Sequence, residues 1–322
     1  MSGRLIYALA AALLAYVPYA AAAQNFPERP VRIVLGFPPG GGVDLVARIL
    51  VPRLSEYLGQ QVIVDNRPGA SGLIGTEVAA KSAADGHTLF FGTAGNLSIN
   101  QSLYPKLHFD IERAFAPVTL VSSVPFLVYV HPSLPATTVR DFIALAKARP
   151  GQIRFYSSGN GGLPHLAGEL FNSAAQVHTV HVPYKGAAPG ITALITGEVQ
   201  LGFGALAVGQ AYVKAGRLRA LATTSAKRIA ALPDVPALGE TLPGFEVVNW
   251  YGMVVPSGTP KPAIMQLNAD LNRAMKSPDI AEKLAAQGTE PAGTSPEAFG
   301  MFMRSEAAKW AKVIRAGNIR AD

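Results

Sequence analysis

Two glycine-rich loops carry the residues best placed to bind a ligand. The first runs from Phe37 to Asp44 (FPPGGGVD), and the second covers residues 157–162 (SSGNGG). Each follows a short apolar run and precedes a segment with helical periodicity. Glycine lets the backbone approach a ligand closely, and a helix N-terminus presents unpaired N–H groups with a partial positive charge. Both loops are therefore candidate anion sites, although turns that only pack a helix against a sheet would look the same.

Two titratable side chains adjoin these loops. Asp44 stands two residues after the first glycine triplet, where an acidic side chain suits a helix start. It is either a cap or a group that contacts a ligand's polar atoms through water. His165 stands at the start of the second helical segment. It is either a polar wall of the binding site or a capping or surface histidine.

The sequence gives little support for nucleophilic catalysis, nucleotide binding or metal binding. The chain has no cysteine, which excludes thiolate metal sites and cysteine nucleophiles. The first loop lacks the GK[ST] of a phosphate-binding loop, and the GxGxxA of Gly202–Ala207 has no acidic residue about 20 positions later. His178 and His181 would point to opposite faces of a strand, and no carboxylate cluster accompanies them. We therefore expect no catalytic residue, no metal and no cofactor.

The elements that position the loops occur twice in the same order: strand, glycine loop, helix, strand, glycine turn, helix, strand. This alternation is typical of α/β structure and predicts two similar α/β domains. The predicted strands are Val31–Phe37, Val62–Val64 and Thr88–Gly92 in the first half and Ile153–Tyr156, Thr179–Val182 and Val199–Phe203 in the second.

Four further apolar runs connect the two halves. Phe115–Val121 and Pro125–Val130 stand almost end to end and predict a passage from the first sheet into the second. Leu218–Thr223 and Trp250–Val255 predict the return, and the last segments are helical. We therefore predict one lobe formed by residues 24–123 plus 225–322 and a second formed by 124–224. Two crossovers between lobes make a hinge with a ligand cleft between them.

Residues 1–23 have the three parts of a secretory signal peptide: Arg4, an apolar run from Leu5 to Val17, and small residues up to Ala23. Export without cysteines fits the bacterial periplasm, and the missing cysteine also removes the attachment point of a lipid anchor. The net charge is +7, and residues 124–224 hold eight basic and three acidic residues, a net +5. These charges are scattered, without a stripe of aromatic residues, so we expect no nucleic-acid partner and a mild attraction for small anions.

Several runs resemble the substrate-binding proteins of tripartite tricarboxylate transporters, also called Bug-type receptors. They include FPERPVRIVLGFPPGGGVDLVARIL, VIVDNRPGASGLIGTEVAAKSAADGHTL, VPYKGAAP and YGMVVPSGTPKP. The resemblance implies a type II periplasmic binding protein fold and a monomeric receptor that delivers a small organic acid to an integral-membrane permease. The expected ligand is a di- or tricarboxylate. An extracytoplasmic carboxylate sensor that acts on a two-component sensor kinase is the alternative.

The same resemblance implies a set of ligand-binding residues. In the first lobe they are Phe37, Pro38, Gly40, Gly41, Gly42, Asp44, Ala70, Ser71, Gly72, Thr93, Ala94 and Gly95. In the second lobe they are Ser158, Gly159, Asn160, Gly161, His165, Tyr184, Lys185 and Gly186. One departure concerns Gly204-Ala205-Leu206, where many relatives have an acidic or amide residue. Nothing there would pair with an ammonium group, so a plain dicarboxylate or another simple organic acid is favoured.

Overall fold

The computed structural model describes residues 26–104, 107–184, 186–229, 232–286 and 288–321. The predicted signal segment 1–23 lies outside these residues, as does Lys185. None of the helices in this part of the chain combines the length and apolar character that crossing a membrane requires.

The strands alternate with helices along the chain, as the sequence predicts. The strands are β1 (Val31–Leu35), β2 (Val62–Asn66), β3 (Thr88–Thr93), β4 (Phe115–Val130), β5 (Arg154–Ser157), β6 (Val180–Pro183), β7 (Leu201–Ala205), β8 (Arg219–Thr223), β9 (Val248–Pro256) and β10 (Glu290–Pro291). They follow the order β2-β1-β3-β9-β4-β7-β5-β6, and β8 and β10 both pair with β4.

The α-helices lie between these strands and at the end of the chain. They are α1 (Gly42–Leu58), α2 (Leu73–Ala80), α3 (Asn100–Leu103), α4 (Ile111–Ala114), α5 (Val139–Ala148), α6 (Leu163–Ala175), α7 (Ala187–Thr196), α8 (Leu206–Lys214), α9 (Lys261–Met275), α10 (Pro278–Ala286) and α11 (Pro296–Ala316). Ala70–Gly72 and Leu238–Glu240 are 3₁₀ turns, and Gly95–Ile99 is a π-helical turn.

The two halves of the sheet have matching topologies. In the first half β1 pairs in parallel with β2 and β3, and β9 runs antiparallel to β3. In the second half β5 pairs in parallel with β6 and β7, and β4 runs antiparallel to β7. The structure is thus two α/β lobes that share crossover strands, and the predicted fold class is confirmed.

Strand β4 passes from one lobe to the other without a break. Its residues 115–125 pair with β9, and its residues 126–130 pair with β7 and β8. The two runs Phe115–Val121 and Pro125–Val130 are therefore parts of one strand. The return passage uses β8 and β9. Between them, Ile229 packs with the second-lobe core and the Phe245 ring contacts Phe171. The predicted division into 24–123 plus 225–322 and 124–224 stays a prediction.

Local sequence signals account for the helix ends that matter to the site. Strand β1 is almost completely buried and leads directly into the first glycine loop. Helix α1 ends at Gly59, whose φ of 63° is left-handed. Helix α11 begins with a cap: the Ser295 side chain accepts the Ala298 N–H, and Pro296 occupies the first turn.

Candidate functional site

A cleft of about 760 Å³ lies between the two lobes, within the range of small-molecule sites. Its lining comes from the loops that follow strands in each lobe and from the crossover strands. The lining residues are Phe37, Pro38, Gly41, Gly42, Val43, Ser71, Thr93, Gly95, Ile99, Asn100, Leu103, Phe126, Tyr156, Ser158, Gly159, Asn160, Gly161, Gly162, Leu163, Pro164, Ala187, Phe203, Gly204, Ala205, Val208, Asn249 and Tyr251.

In the part of the chain that the structure describes, four α-helices of nine or more residues begin at this cleft. The first residues of α1, α6 and α7 line it directly, and α8 contributes Val208 from its first turn. Their N-terminal backbone N–H groups lack helical partners and carry partial positive charge. Among the described lining residues there is no Asp, Glu, Lys, Arg or His side chain. An anion in the cleft would therefore meet helix dipoles and neutral donors.

The first glycine loop is fixed from behind by Asp44. Its carboxylate is 1% exposed and accepts hydrogen bonds from the Gly40 N–H and Arg48 Nε at 2.9 Å each and from Asn66 Nδ2 at 3.0 Å. Burial acts to raise the pKa of Asp44, but the bonds from Arg48, Gly40 and Asn66 outweigh it and keep the pKa below its ordinary value. The carboxylate thus stays charged and holds the loop in shape.

Tyr251, from the crossover strand β9, fills the space beside the same loop. A Cβ on Gly42 would lie 2.9 Å from the Tyr251 hydroxyl, so the first residue of α1 must be small for this hydroxyl to sit there. Burial raises the pKa of Tyr251 to about 12. The hydroxyl is therefore protonated at neutral pH and available as a donor at the cleft.

The next wall is a strained turn at residues 69–72. All four residues have positive φ, including the non-glycine residues Ala70 at 47° and Ser71 at 53°, which ordinarily costs about 1–2 kcal/mol per residue. Asn96 Nδ2 donates to the Ser71 carbonyl at 3.2 Å, and Tyr104 donates to Ser71 Oγ at 3.0 Å. Because Ser71 Oγ accepts from Tyr104, its own proton can be donated toward the cleft. Strain of this kind clusters at functional sites.

Thr93, at the end of β3, is joined to this turn through the buried side chain of Asn96. Thr93 Oγ1 donates to Asn96 Oδ1 at 3.0 Å, and the Asn96 amide group continues the chain of bonds to Ser71. The wall built by Thr93 and Ser71 is therefore one hydrogen-bonded unit.

In the second lobe, Ser157 organises the glycine loop. Its hydroxyl donates to the Gly159 carbonyl at 2.9 Å and accepts the Gly159 N–H at 3.2 Å. His181 Nε2 lies 2.6 Å from the same hydroxyl. The φ values of Gly159 (140°) and Gly161 (70°) are in the region that favours glycine. These contacts present Ser158, Gly159 and Asn160 to the cleft.

His165 supports this loop from below. Its Nδ1 accepts the Gly161 N–H at 3.1 Å, its Nε2 lies 3.8 Å from Glu169 Oε1, and its ring is stacked on His181 with centroids 3.6 Å apart. The side chain is 8% exposed and is not among the lining residues. His165 therefore holds the second glycine loop in place and does not itself line the cleft.

The structure places the residues of the implied ligand set in two groups. Lining the cleft are Phe37, Pro38, Gly41, Gly42, Ser71, Thr93, Gly95, Ser158, Gly159, Asn160 and Gly161. Outside the lining, among the described residues, are Gly40, Asp44, Ala70, Gly72, Ala94, His165, Tyr184 and Gly186. The ligand contacts of both groups, like those of Lys185, stay a prediction.

The second group supports the walls. Gly40 binds the Asp44 carboxylate, and Ala70 and Gly72 carry the strained turn. Tyr184 donates to Glu198 Oε1 at 2.8 Å, and the Gly186 N–H donates to the Ser158 carbonyl at 3.2 Å.

The sequence motifs do not identify the side chains that reach the cleft from the crossover strands and from the ends of other strands. Phe126 and Tyr251 belong to apolar runs that the sequence assigned only to the passage between lobes, and Asn249 precedes the second of them. Tyr156 is the last residue of the predicted strand Ile153–Tyr156. One feature of the sequence could have identified them. Both crossover passages connect the lobes, so they must pass beneath a cleft that lies between the lobes, and their residues form its floor.

Comparisons with known proteins agree on one family. A family model described as the tripartite tricarboxylate transporter family receptor matches residues 46–319. A UPF0065 protein in the tcbD-tcbE intergenic region of Pseudomonas sp. (strain P51) is 38% identical over 291 residues, which covers 90% of this chain and 86% of that protein. Protein BugT of Bordetella pertussis (strain Tohama I) is 36% identical over 295 residues, covering 91% and 90%.

Two solved structures with bound acids are also similar. Rpa4515 of R. palustris with adipate is 36% identical, has a TM-score of 0.79, and the match covers 92% of this chain and 100% of that one. MatC from Rhodopseudomonas palustris with bound malate is 29% identical with a TM-score of 0.74, covering 90% and 100%.

Proposed function

The chain belongs to the tripartite tricarboxylate transporter receptor family, and from this premise we propose that it captures a small dicarboxylate in the periplasm and delivers it to a membrane permease. Its fold is that of a periplasmic binding protein. Members of the family are binding receptors, so the protein is not an enzyme.

The observation that carries the proposal is the cleft where four α-helices of nine or more residues begin and where no described lining side chain bears a charge. Backbone N–H groups at helix starts favour anions, and hydrogen bonds to a charged group contribute about 1.5–3 kcal/mol each. Three or four of them supply much of the about 8 kcal/mol that a micromolar dissociation constant requires. Ser71, Thr93 and Asn160 add neutral side chains with donor groups.

The apolar part of the lining limits the class of acid. Phe37, Ile99, Phe126 and Phe203 face the cleft, and such surfaces favour a hydrocarbon segment between the polar ends of the ligand. The bound adipate of the similar Rpa4515 structure is an acid of this type. A tricarboxylate would place a further charge against these apolar side chains, so the proposal favours dicarboxylates.

A thermal-shift and calorimetric screen of the mature protein tests the proposal, after unfolding and refolding to remove any acid that copurifies. A dicarboxylate at 100 times its dissociation constant adds about 2.7 kcal/mol of stability, which raises the unfolding midpoint by about 4 °C for a chain of this size. Absence of a shift and of heat with every straight-chain dicarboxylate from succinate to suberate would contradict it. Uptake of the same acid by membrane vesicles that contain the permease, stimulated by the added receptor, tests delivery.

A further inference from the structure

The Tyr156 hydroxyl is a buried polar group without a partner. The side chain is 1% exposed, and no polar atom in the described part of the chain hydrogen-bonds with its Oη. A buried hydroxyl left unpaired destabilises a fold, and a phenylalanine of the same shape would avoid that cost. Such an exception needs a physical reason, and Tyr156 lies in the lining of the cleft.

Three glycines make room for this side chain. A Cβ on Gly190 or Gly202 would collide with the Tyr156 ring, and a Cβ on Gly204 would lie 3.2 Å from Oη. None of these three glycines has a positive φ. Their backbones would accept other residues, so it is the space around the tyrosine that requires glycine. The ring is thereby held in one position, with its hydroxyl beside Gly204, which also lines the cleft.

The neighbouring Tyr129 shows the contrast. It packs in the same apolar cluster, and a Cβ on Gly209 would collide with its ring. Its hydroxyl, however, donates to the carbonyls of Ala205 at 3.1 Å and Leu206 at 3.4 Å. The same environment therefore satisfies one tyrosine hydroxyl internally and leaves the other, on a residue that lines the cleft, without a partner in the described part of the chain.

The surroundings of Tyr156 favour an acceptor on the ligand. Helices α7 and α8 begin on this side of the cleft, where Ala187 and Val208 join Tyr156 in the lining. Their positive ends disfavour an ammonium group. Burial raises the pKa of Tyr156 to about 12, so the hydroxyl keeps its proton and can donate it.

We propose that Tyr156 is a specificity-determining residue whose hydroxyl donates a hydrogen bond to the end of the bound acid that faces the second lobe. This inference rests on the proposed function, and it leaves the other end of the acid to the first-lobe loop at Phe37–Gly42, where α1 begins. It assigns to the ligand a second polar end that accepts hydrogen bonds, separated from the first by an apolar chain.

Calorimetry on the mature protein tests this with matched pairs of ligands and variants. The probes are the straight-chain dicarboxylate from succinate to suberate that binds wild type most tightly and the monocarboxylate of the same chain length. Tyr156→Phe should lower dicarboxylate affinity about tenfold or more, as expected for a hydrogen bond to a charged group, and change monocarboxylate affinity less than twofold. Gly204→Ala, which crowds the hydroxyl, should also weaken the dicarboxylate.

Tyr129→Phe is the control. It should lower the denaturation midpoint of the ligand-free protein, because two backbone carbonyls lose their donor, and leave affinity within twofold. Tyr156→Phe should keep or raise that midpoint. If wild type binds a dicarboxylate and Tyr156→Phe binds it equally well, or if wild type binds both probes equally, the role of Tyr156 is overturned and the receptor function stands. If wild type binds no dicarboxylate of the series, both proposals fail.

Discussion

Asp44 closes the first glycine loop, since its Oδ2 accepts the backbone N–H of Gly40 at 2.9 Å. The bond runs from the first turn of α1 back to the loop that precedes it, and neither of its two residues lines the cleft. A charged residue thereby shapes a site whose described lining is uncharged.

Asp44→Asn should destabilise the protein and weaken ligand binding together. Asparagine keeps one acceptor but loses the charge that the Gly40 N–H and Arg48 both contact, so we expect the free energy of unfolding to fall by about 1–3 kcal/mol. Urea denaturation and calorimetry with the tightest-binding dicarboxylate measure the two effects. The exposed Asp234→Asn is the control and should change neither. Equal stability of the two variants would show that Asp44 does not hold the loop.

The contribution of Asp44 should depend on pH. Its pKa in the folded protein lies below the ordinary value of 3.8, so its stabilising effect is complete above the unfolded-state pKa and is lost as the pH falls through the folded-state pKa. The stability difference between wild type and Asp44→Asn should therefore be full above about pH 5 and shrink below 3.8. Urea denaturation at pH 3, 4, 5 and 7 measures it. A stability difference between wild type and Asp44→Asn that grows toward acid pH would contradict a lowered pKa of Asp44 in the folded protein.

His165→Ala should lower ligand affinity although the side chain does not line the cleft. The change removes the acceptor of the Gly161 N–H and the stacking partner of His181, so the second-lobe loop loses its support. We expect a loss of affinity of about fivefold to thirtyfold, equivalent to about 1–2 kcal/mol, in calorimetric titrations. The exposed His178→Ala is the matched control and should bind as wild type. Unchanged binding by His165→Ala would remove the positioning role.

Ala70→Gly should stabilise the protein. Alanine at a φ of 47° is strained, and the gain from relief exceeds the entropy that glycine adds to the unfolded chain. We expect the free energy of unfolding of the variant to be about 0.5–1 kcal/mol higher than that of wild type. Ala281→Gly, within α10, should destabilise by about 1 kcal/mol. In chemical denaturation, a higher free energy of unfolding for Ala70→Gly and a lower one for Ala281→Gly would support the strained turn. Equal losses in the two variants would contradict it.

The sequence predicted the backbone of the site better than its side chains. Glycine loops after strands are local signals, because positive φ at Gly159 and the helix start at Gly42 follow from residue type and neighbours. The positions of Phe126 and Tyr251 depend on which strand crosses under which loop. The orientation of His165 away from the cleft depends on its stacking with His181, and motif spacing contains no information about that contact.

Tyr156 illustrates the same limit. Its strand reads as a buried apolar run, and the three glycines that accommodate it lie 34–48 positions further along the chain, in α7 and β7. Only the tertiary structure brings Gly190, Gly202 and Gly204 around one ring. A sequence pattern can predict that the strand is buried, but it does not show that one hydroxyl in it is left without a partner.

The unbroken strand β4 also bears on how the protein unfolds. Its first part is hydrogen-bonded into one sheet and its second part into the other, with the change of partners at Pro125 and Phe126. Neither lobe can melt completely without breaking the strand that anchors its neighbour. The two lobes should therefore denature in a single cooperative transition, and a ligand bound between them protects both against heat and proteolysis at once.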